Sequence, residues 1–242
     1  ACASLDAHWT GDFNAYVFKT TDFGETWQRL GADSIEGYAH VVLQDPVNPD
    51  LLYVGTEMGL WISLDGGKQW ARFTENLPPV PVHDLVIQER DRDLVLATHG
   101  RGFYVIDDLT PLRALTVDAL REPVVLLPSR PAEMVVAGTG FPFSLNADDE
   151  FVGESPGETA SIVYYLAKRH LFGDLKVEIS DADGRLIVTL PGGKRRGINR
   201  VSWPMRYKAP KLPAATNLVP AFSGPRVPEG PYPVRLIKGK KT

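Results

Sequence analysis

The residues of this chain that are best suited to bind a polar ligand lie beside short apolar runs. His40 and His83 lie near the start of such a run, and Asp84 directly follows His83. The other three candidates come after the end of a run. Imidazole, carboxylate and guanidinium groups that converge on one site suit a polar or anionic ligand. The candidate ligand-binding residues are His40, Glu57, His83, Asp84, His99 and Arg101.

Each candidate also has a purely structural interpretation. A histidine at the start of a strand commonly serves as a hydrogen-bonded spacer. Arg101 lies between two glycines, where it could bridge carbonyl groups or Asp107 instead of holding a ligand. Asp107 and Asp108 are consecutive, so on a strand their side chains point to opposite faces and form no dyad.

Catalysis is not indicated by these residues. Glycoside hydrolysis needs two carboxyl groups about 5 or about 6.5 to 9.5 Å apart, and no spacing in the sequence establishes such a pair. No cofactor or metal site is predicted. The acidic run Asp148, Asp149 and Glu150 could bind calcium, but a solvated loop is the simpler interpretation.

The composition excludes several classes of protein. The chain has 242 residues and a formal net charge of −4, so it has no basic excess to attract nucleic acid. Its apolar runs fall far short of the roughly 20 residues that a membrane helix needs. Cys2 is the single cysteine, which excludes an internal disulfide. The chain opens at Ala1 without an initiator methionine, and we expect it to begin inside a longer protein or after a cleavage.

An internal repeat indicates the strands that must position the candidate ligand-binding residues. The motif [Ser/Thr]-x-Asp-x-Gly-x-x-Trp occurs twice, and its aspartates, Asp22 and Asp65, are 43 positions apart. The segment 98–108 resembles 56–65 but lacks the glycine and tryptophan of a third motif. A period of about 43 residues with several short strands per copy is typical of a four-stranded propeller blade. The motif residues are Thr20, Asp22, Gly24 and Trp27, then Ser63, Asp65, Gly67 and Trp70.

Each copy predicts the same run of strands. Those of the second copy are 39–44, 51–55, 60–63 and 70–73, and those of the third are 84–88, 93–97 and 103–106. The motif predicts a tight turn in which the aspartate accepts backbone N–H groups, the glycine adopts an unusual φ and the tryptophan packs between blades. If these turns lie on one face, the candidate ligand-binding residues lie on the other.

The sequence predicts two all-β domains. Residues 1–122 hold about three blades, 123–159 form a linker or extended segment, and 160–242 form a small β-sandwich. The predicted strands of the second domain are 161–166, 175–179, 185–190, 198–203 and 232–237, with a hairpin turn at 181–184.

The repeated motif resembles the Asp boxes, or bacterial neuraminidase repeats, of sialidase, xyloglucanase and sortilin-type propellers. The segments 18–27, 52–57 and 97–112 resemble the closing blades of large secreted bacterial proteins of the sortilin-like or glycosyl hydrolase type. The segments 197–203 and 228–234 resemble the immunoglobulin-like domain of the flagellar hook-capping protein. The resemblance implies a partial Asp-box propeller followed by an immunoglobulin-like sandwich, in a secreted or periplasmic protein. Three blades cannot close a ring, so further blades or partner chains are expected to complete it.

Three functions follow from this resemblance. The first is a non-catalytic binding or assembly module with a carbohydrate, protein or peptide ligand. The second is part of a glycoside hydrolase whose catalytic carboxylates lie outside this segment, with Glu57, His99 and Arg101 at its subsites. The third is a purely structural C-terminal cap.

Overall fold

The strands of the protein are short, and they pair only with antiparallel neighbours. The computed structural model describes residues 1–4, 6–31, 34–134, 159–209 and 224–239. The chain divides into two units, Ala1–Glu122 and Pro123–Thr242. Within the described residues, three sheets belong to the first unit and two to the second. The expected all-β class is confirmed, and none of the described sheets closes into a barrel.

The sheets of the first unit follow one another along the chain. The strands, in order, are β1 (Cys2–Ser4), β2 (Tyr16–Lys19), β3 (Gln28–Leu30), β4 (Ala39–Gln44), β5 (Leu52–Thr56), β6 (Gly59–Ser63), β7 (Ala71–Phe73), β8 (Val82–Gln88), β9 (Asp93–Thr98) and β10 (Phe103–Ile106). The first sheet has the order β1-β2-β3, the second β4-β5-β6-β7 and the third β10-β9-β8. Each strand therefore pairs with its neighbour in sequence, as short tight connections require.

The second sheet is covered on both faces. On strand β5, Leu52 and Val54 belong to an apolar cluster that includes Val17 and Leu30 of the first sheet. Tyr53 lies between them in sequence and belongs to a different cluster, which contains several leucines of the third sheet. Since successive side chains on a strand point to opposite faces, β5 is buried along its whole length.

Short helices occupy some of the connections. A 3-10 helix at Asp6–Thr10 lies between β1 and β2. Helix α1 (Thr110–Ala114) follows the third sheet, and a 3-10 helix at Ala119–Arg121 precedes the end of the unit. Pro111 lies in the first turn of α1, where its missing N–H removes no intrahelical bond. No helix among the described residues has both the length and the apolar character that a membrane crossing needs.

The second unit contains two three-stranded sheets. The strands are β11 (Val124–Leu127), β12 (Ala160–Leu166), β13 (Leu175–Ser180), β14 (Leu186–Pro191), β15 (Gly197–Trp203) and β16 (Val234–Lys238). The sheet orders are β11-β12-β15 and β14-β13-β16. Alternate residues of β12 and β13, including Tyr164 and Val177, enter one apolar core, so both sheets contribute to it.

The connection between β13 and β14 is the tight turn that the sequence indicates. The Asp181 carboxylate accepts the N–H groups of Asp183 and Arg185 at 3.0 and 2.8 Å. Gly184 has a φ of 80° and donates its N–H to the Asp181 carbonyl. Two sequence-based expectations fall outside the described residues, namely the acidic run Asp148, Asp149 and Glu150 and most of the linker 123–159.

Candidate functional site

The first repeated turn is held together by its own side chains. The Thr20 hydroxyl donates to Asp22 Oδ1 at 2.7 Å and accepts the Gly24 N–H at 2.8 Å. Asp22 Oδ1 also accepts the Thr26 N–H at 2.9 Å. The Trp27 indole donates from Nε1 to the Gly24 carbonyl at 3.1 Å. Gly24 has a φ of 100°, which a side chain would disfavour.

The second turn repeats these four bonds. The Ser63 hydroxyl donates to Asp65 Oδ1 at 2.8 Å and accepts the Gly67 N–H at 2.9 Å. Asp65 Oδ1 accepts the Gln69 N–H at 2.9 Å, and Trp70 Nε1 donates to the Gly67 carbonyl at 3.0 Å. Gly67 has a φ of 94°. The two aspartates therefore act as acceptors that fasten a turn, and their chemistry is structural.

The two tryptophans differ in their surroundings. Trp70 packs against the apolar cluster that joins the first and second sheets. Trp27 lies half open to solvent, with 52% of its surface exposed. The packing expected of a motif tryptophan is therefore seen for Trp70, whereas Trp27 is mainly engaged with its own turn.

The candidate ligand-binding residues lie at the opposite end of the strands. The second turn follows β6, whereas His40 lies at the start of β4 and Glu57 follows the end of β5. Because β4, β5 and β6 run antiparallel, the start of β4 and the end of β5 are at the end of the sheet away from that turn.

His40 and His83 occupy equivalent positions in consecutive sheets. Each lies near the start of the first strand of its sheet, where the pairing register shifts between the residues on either side. Such an irregularity changes the direction in which a side chain points, relative to the direction that regular strand pairing would give it. The two histidines are 43 positions apart, the same separation as Asp22 and Asp65. That spacing is a signal in the sequence that could have paired them.

The rings of these histidines form the centre of a row that crosses all three sheets of the first unit. The His40 and His83 rings are stacked, with centroids 4.2 Å apart. His83 and His99 follow at 5.5 Å, and on the other side Tyr38 lies 5.0 Å from His40. We call this the ring row, and its members in order are Trp9, His8, Tyr38, His40, His83 and His99, with Phe13 beside Tyr38.

Glu57 is the carboxylate attached to this row. Its Oε2 lies 2.9 Å from His40 Nε2, and the Tyr38 hydroxyl lies nearby. Burial, together with this contact, raises the pKa of Tyr38. Burial lowers the pKa of His83, and the neighbouring His40 and His99 lower it further. These effects favour the neutral form of the His83 imidazole.

Two candidates lie beside the row without joining its rings. Asp84 is exposed, and its carboxylate accepts the N–H of the next residue, Leu85, at 2.9 Å. Arg101 is exposed in the connection from β9 to β10, where Gly100 and Gly102 both have positive φ. His99 lies at the start of the same connection and enters the row.

The sequence reasoning missed His8, Trp9, Phe13 and Tyr38. Three of them come from the connection between β1 and β2, which is longer than the equivalent turn between β5 and β6. Trp9 and Phe13 are 82% and 61% exposed, which is unusual for rings of their size. The concentration of aromatic residues in this short segment was the available signal.

The second unit contains an apolar concavity of about 760 Å³. It is lined by Leu127, Trp203, Met205, Tyr232 and other apolar groups. One of its walls ends at Met134, directly before a segment outside the described residues. Its titratable lining groups are Glu133, Glu229 and Tyr232, and its lining includes none of the histidines that form the ring row.

No protein-family model matches the chain, and no curated protein or solved structure matches it either.

Proposed function

We propose that this chain is a non-catalytic binding module that belongs to a secreted or periplasmic Asp-box propeller protein. In this proposal the three sheets of the first unit are consecutive blades, and the second unit is an immunoglobulin-like sandwich. The four matching bonds of the turns at Asp22 and Asp65 support the blade assignment. The equivalent register shifts at His40 and His83 support it independently. Further blades, in the same or a partner chain, then complete the ring.

The ring row carries the proposal of a binding function. It presents six rings side by side, three of whose five consecutive contacts are stacked and two tilted, and the exposed indole of Trp9 lies at one end. Aromatic faces next to hydrogen-bonding groups suit a ligand with both apolar and polar surface. Sugar rings have this character, because their C–H faces pack on indole while their hydroxyl groups bond to imidazole and carboxylate. We therefore assign the ring row to an oligosaccharide ligand.

The geometry favours binding over hydrolysis. Glu57 is the carboxylate of the ring row, and it is already engaged by His40 and Tyr38. Glycoside hydrolysis requires two carboxyl groups on opposite sides of the scissile bond. Within the described ring row, Glu57 has no carboxylate partner of this kind.

The test is a titration of the chain against a panel of oligosaccharides, followed calorimetrically. Trp9→Ala should weaken the binding of any ligand found by at least about fivefold, since one aromatic contact contributes roughly 1 kcal/mol or more. Phe23→Ala is the matched control, because Phe23 is an equally exposed ring in the turn at the opposite end of the strands. The Phe23→Ala variant should bind the ligand with the same affinity as the unmodified chain.

Each outcome of this test is decisive. Binding that persists in Trp9→Ala removes the ring row from the interaction. A panel without a binder, together with binding of a peptide library member, replaces the oligosaccharide by a peptide. Release of reducing sugar that stops in Glu57→Gln overturns the non-catalytic assignment in favour of a glycoside hydrolase.

A further inference from the structure

We propose that His40, Glu57 and His83 form a binding site for a zinc-class divalent metal ion. Each residue offers one ligand atom, and these three atoms all lie within 4.8 Å of one another. This inference goes beyond the proposed function, because it concerns metal binding and requires no sugar.

The donor atoms are close to the spacing that a metal ion needs. Tetrahedral zinc with bonds of about 2.0 to 2.1 Å separates its nitrogen and oxygen ligands by about 3.3 Å. His40 Nε2 and Glu57 Oε2 are 2.9 Å apart, so a shift of a few tenths of an ångström would admit the ion between them. Zinc would bind the lone pair of Nε2, so His40 coordinates as the neutral tautomer that carries its single ring hydrogen on Nδ1.

The third ligand, His83, is the most exposed of the set. The planes of the His40 and His83 rings are inclined by 29°, and His83 must turn about its Cβ–Cγ bond to direct a nitrogen at the same ion. His83 is exposed, so this rotation meets little packing resistance. The backbone irregularities at His40 and His83 already direct both side chains to this end of the sheets.

The chemistry of the donors selects the metal. Two imidazoles and one carboxylate suit zinc and its neighbours in the first transition series, whereas calcium and magnesium require mostly oxygen ligands. Three protein ligands leave at least one coordination position free, as in zinc sites that also bind water or another ligand. The site is therefore open to solvent through the exposed ring of His83.

The test uses the tag-free chain and Zn²⁺ alone. Competition with a zinc-binding chromophore gives the affinity, and imidazole nitrogen NMR identifies the coordinating rings. Zn²⁺ should shift the ring signals of His40 and His83. His83→Gln and Glu57→Gln should each weaken Zn²⁺ binding by at least about tenfold, because loss of even an outer-shell partner commonly costs about 10 to 100-fold.

His99→Gln is the matched control, since His99 adjoins His83 in the ring row but contributes no atom to the cluster. It should retain the affinity of the unmodified chain. Thermal unfolding of each variant without metal shows that the fold is intact, and His83 is exposed enough for its replacement to be tolerated. Absence of Zn²⁺ binding overturns the proposal. An unchanged affinity in His83→Gln and Glu57→Gln, or an equal loss in His99→Gln, also overturns the assignment to these three residues.

Discussion

Arg113 forms an ion pair with Asp45, which lies 68 residues earlier in the chain. Its Nε lies 3.1 and 2.9 Å from the two carboxylate oxygens of Asp45. The Asp45 side chain is fully buried, and that of Arg113 is 12% exposed. Asp45 Oδ1 also accepts the N–H groups of Val47 and Asn48, each at 2.8 Å. One carboxylate thus joins the turn between β4 and β5 to helix α1 beyond the third sheet.

Loss of Arg113 should strongly destabilise the first unit. Arg113→Met leaves the buried Asp45 carboxylate without its ion partner, and we expect the free energy of unfolding to fall by about 3 to 5 kcal/mol. The exposed pair between Arg121 and Asp118 provides the control, because Arg121→Met should cost less than about 1 kcal/mol. Denaturant unfolding measures both. A similar small loss in the two variants would contradict the buried ion pair.

The turn glycines test how the first two sheets pack. Gly24 and Gly67 have nearly the same positive φ, so Gly24→Ala and Gly67→Ala introduce similar backbone strain. A Cβ on Gly67 would lie only 2.6 Å from Leu30 Cδ1, whereas a Cβ on Gly24 would meet nothing closer than 3.7 Å. Gly67→Ala should therefore reduce stability by about 1 to 3 kcal/mol more than Gly24→Ala does.

The comparison is made by denaturant unfolding of the two single variants. Leu30→Ala in the Gly67→Ala background should restore part of the lost stability. The reason is that it removes Leu30 Cδ1, the atom with which the new Cβ clashes. Equal losses in both glycine variants would show that Leu30 does not pack on this turn.

Asp22 should make the first turn sensitive to acid. Hydrogen bonds from the Thr26 hydroxyl, the Thr26 N–H and Thr20 hold the pKa of Asp22 well below its ordinary value of 3.8. Because the pKa is lower in the folded state, this carboxylate stabilises the fold above pH 3.8, and the stabilisation is lost as the pH falls below that value.

The check is the melting temperature of the chain and of Asp22→Asn as a function of pH. Asp22→Asn should melt at a lower temperature at pH 6, and the difference should shrink below pH 3.8. Asp118→Asn, an exposed change outside the turn, controls for general effects of charge. A difference for Asp22→Asn that is constant across the pH range would contradict the expected ionisation.

Two buried tyrosine hydroxyl groups should respond in opposite ways to deletion. Within the part of the chain that the structure describes, the Tyr53 hydroxyl has no hydrogen-bond partner, and burial beside Asp45 raises its pKa. The Tyr164 hydroxyl donates to the Gly193 carbonyl at 2.7 Å. Tyr53→Phe should leave the free energy of unfolding unchanged or increase it, while Tyr164→Phe should cost about 1 kcal/mol. Denaturant unfolding that shows a comparable loss in both variants would refute this distinction.

The turns at Asp22 and Asp65 could be predicted from sequence because their chemistry is local. Every bond that fastens them joins residues within four positions of each other. The burial of β5 is also readable from local sequence, since side chains alternate along a strand and a continuous apolar run therefore places apolar groups on both faces. These features depend on residue type and short spacing alone.

The ring row was decided by the tertiary structure. His40 and Glu57 are 17 residues apart, and they meet because strand pairing brings the start of β4 to the end of β5. His40 and His83 meet because two different sheets pack side by side, and Trp9 joins the row through the connection between β1 and β2, which is longer than its counterpart in the next repeat. The sequence by itself determined the turns, the strands and the positions of the histidines. The stacking of those rings and the capture of Asp45 by Arg113 depend on contacts between distant segments, which only the folded chain brings together.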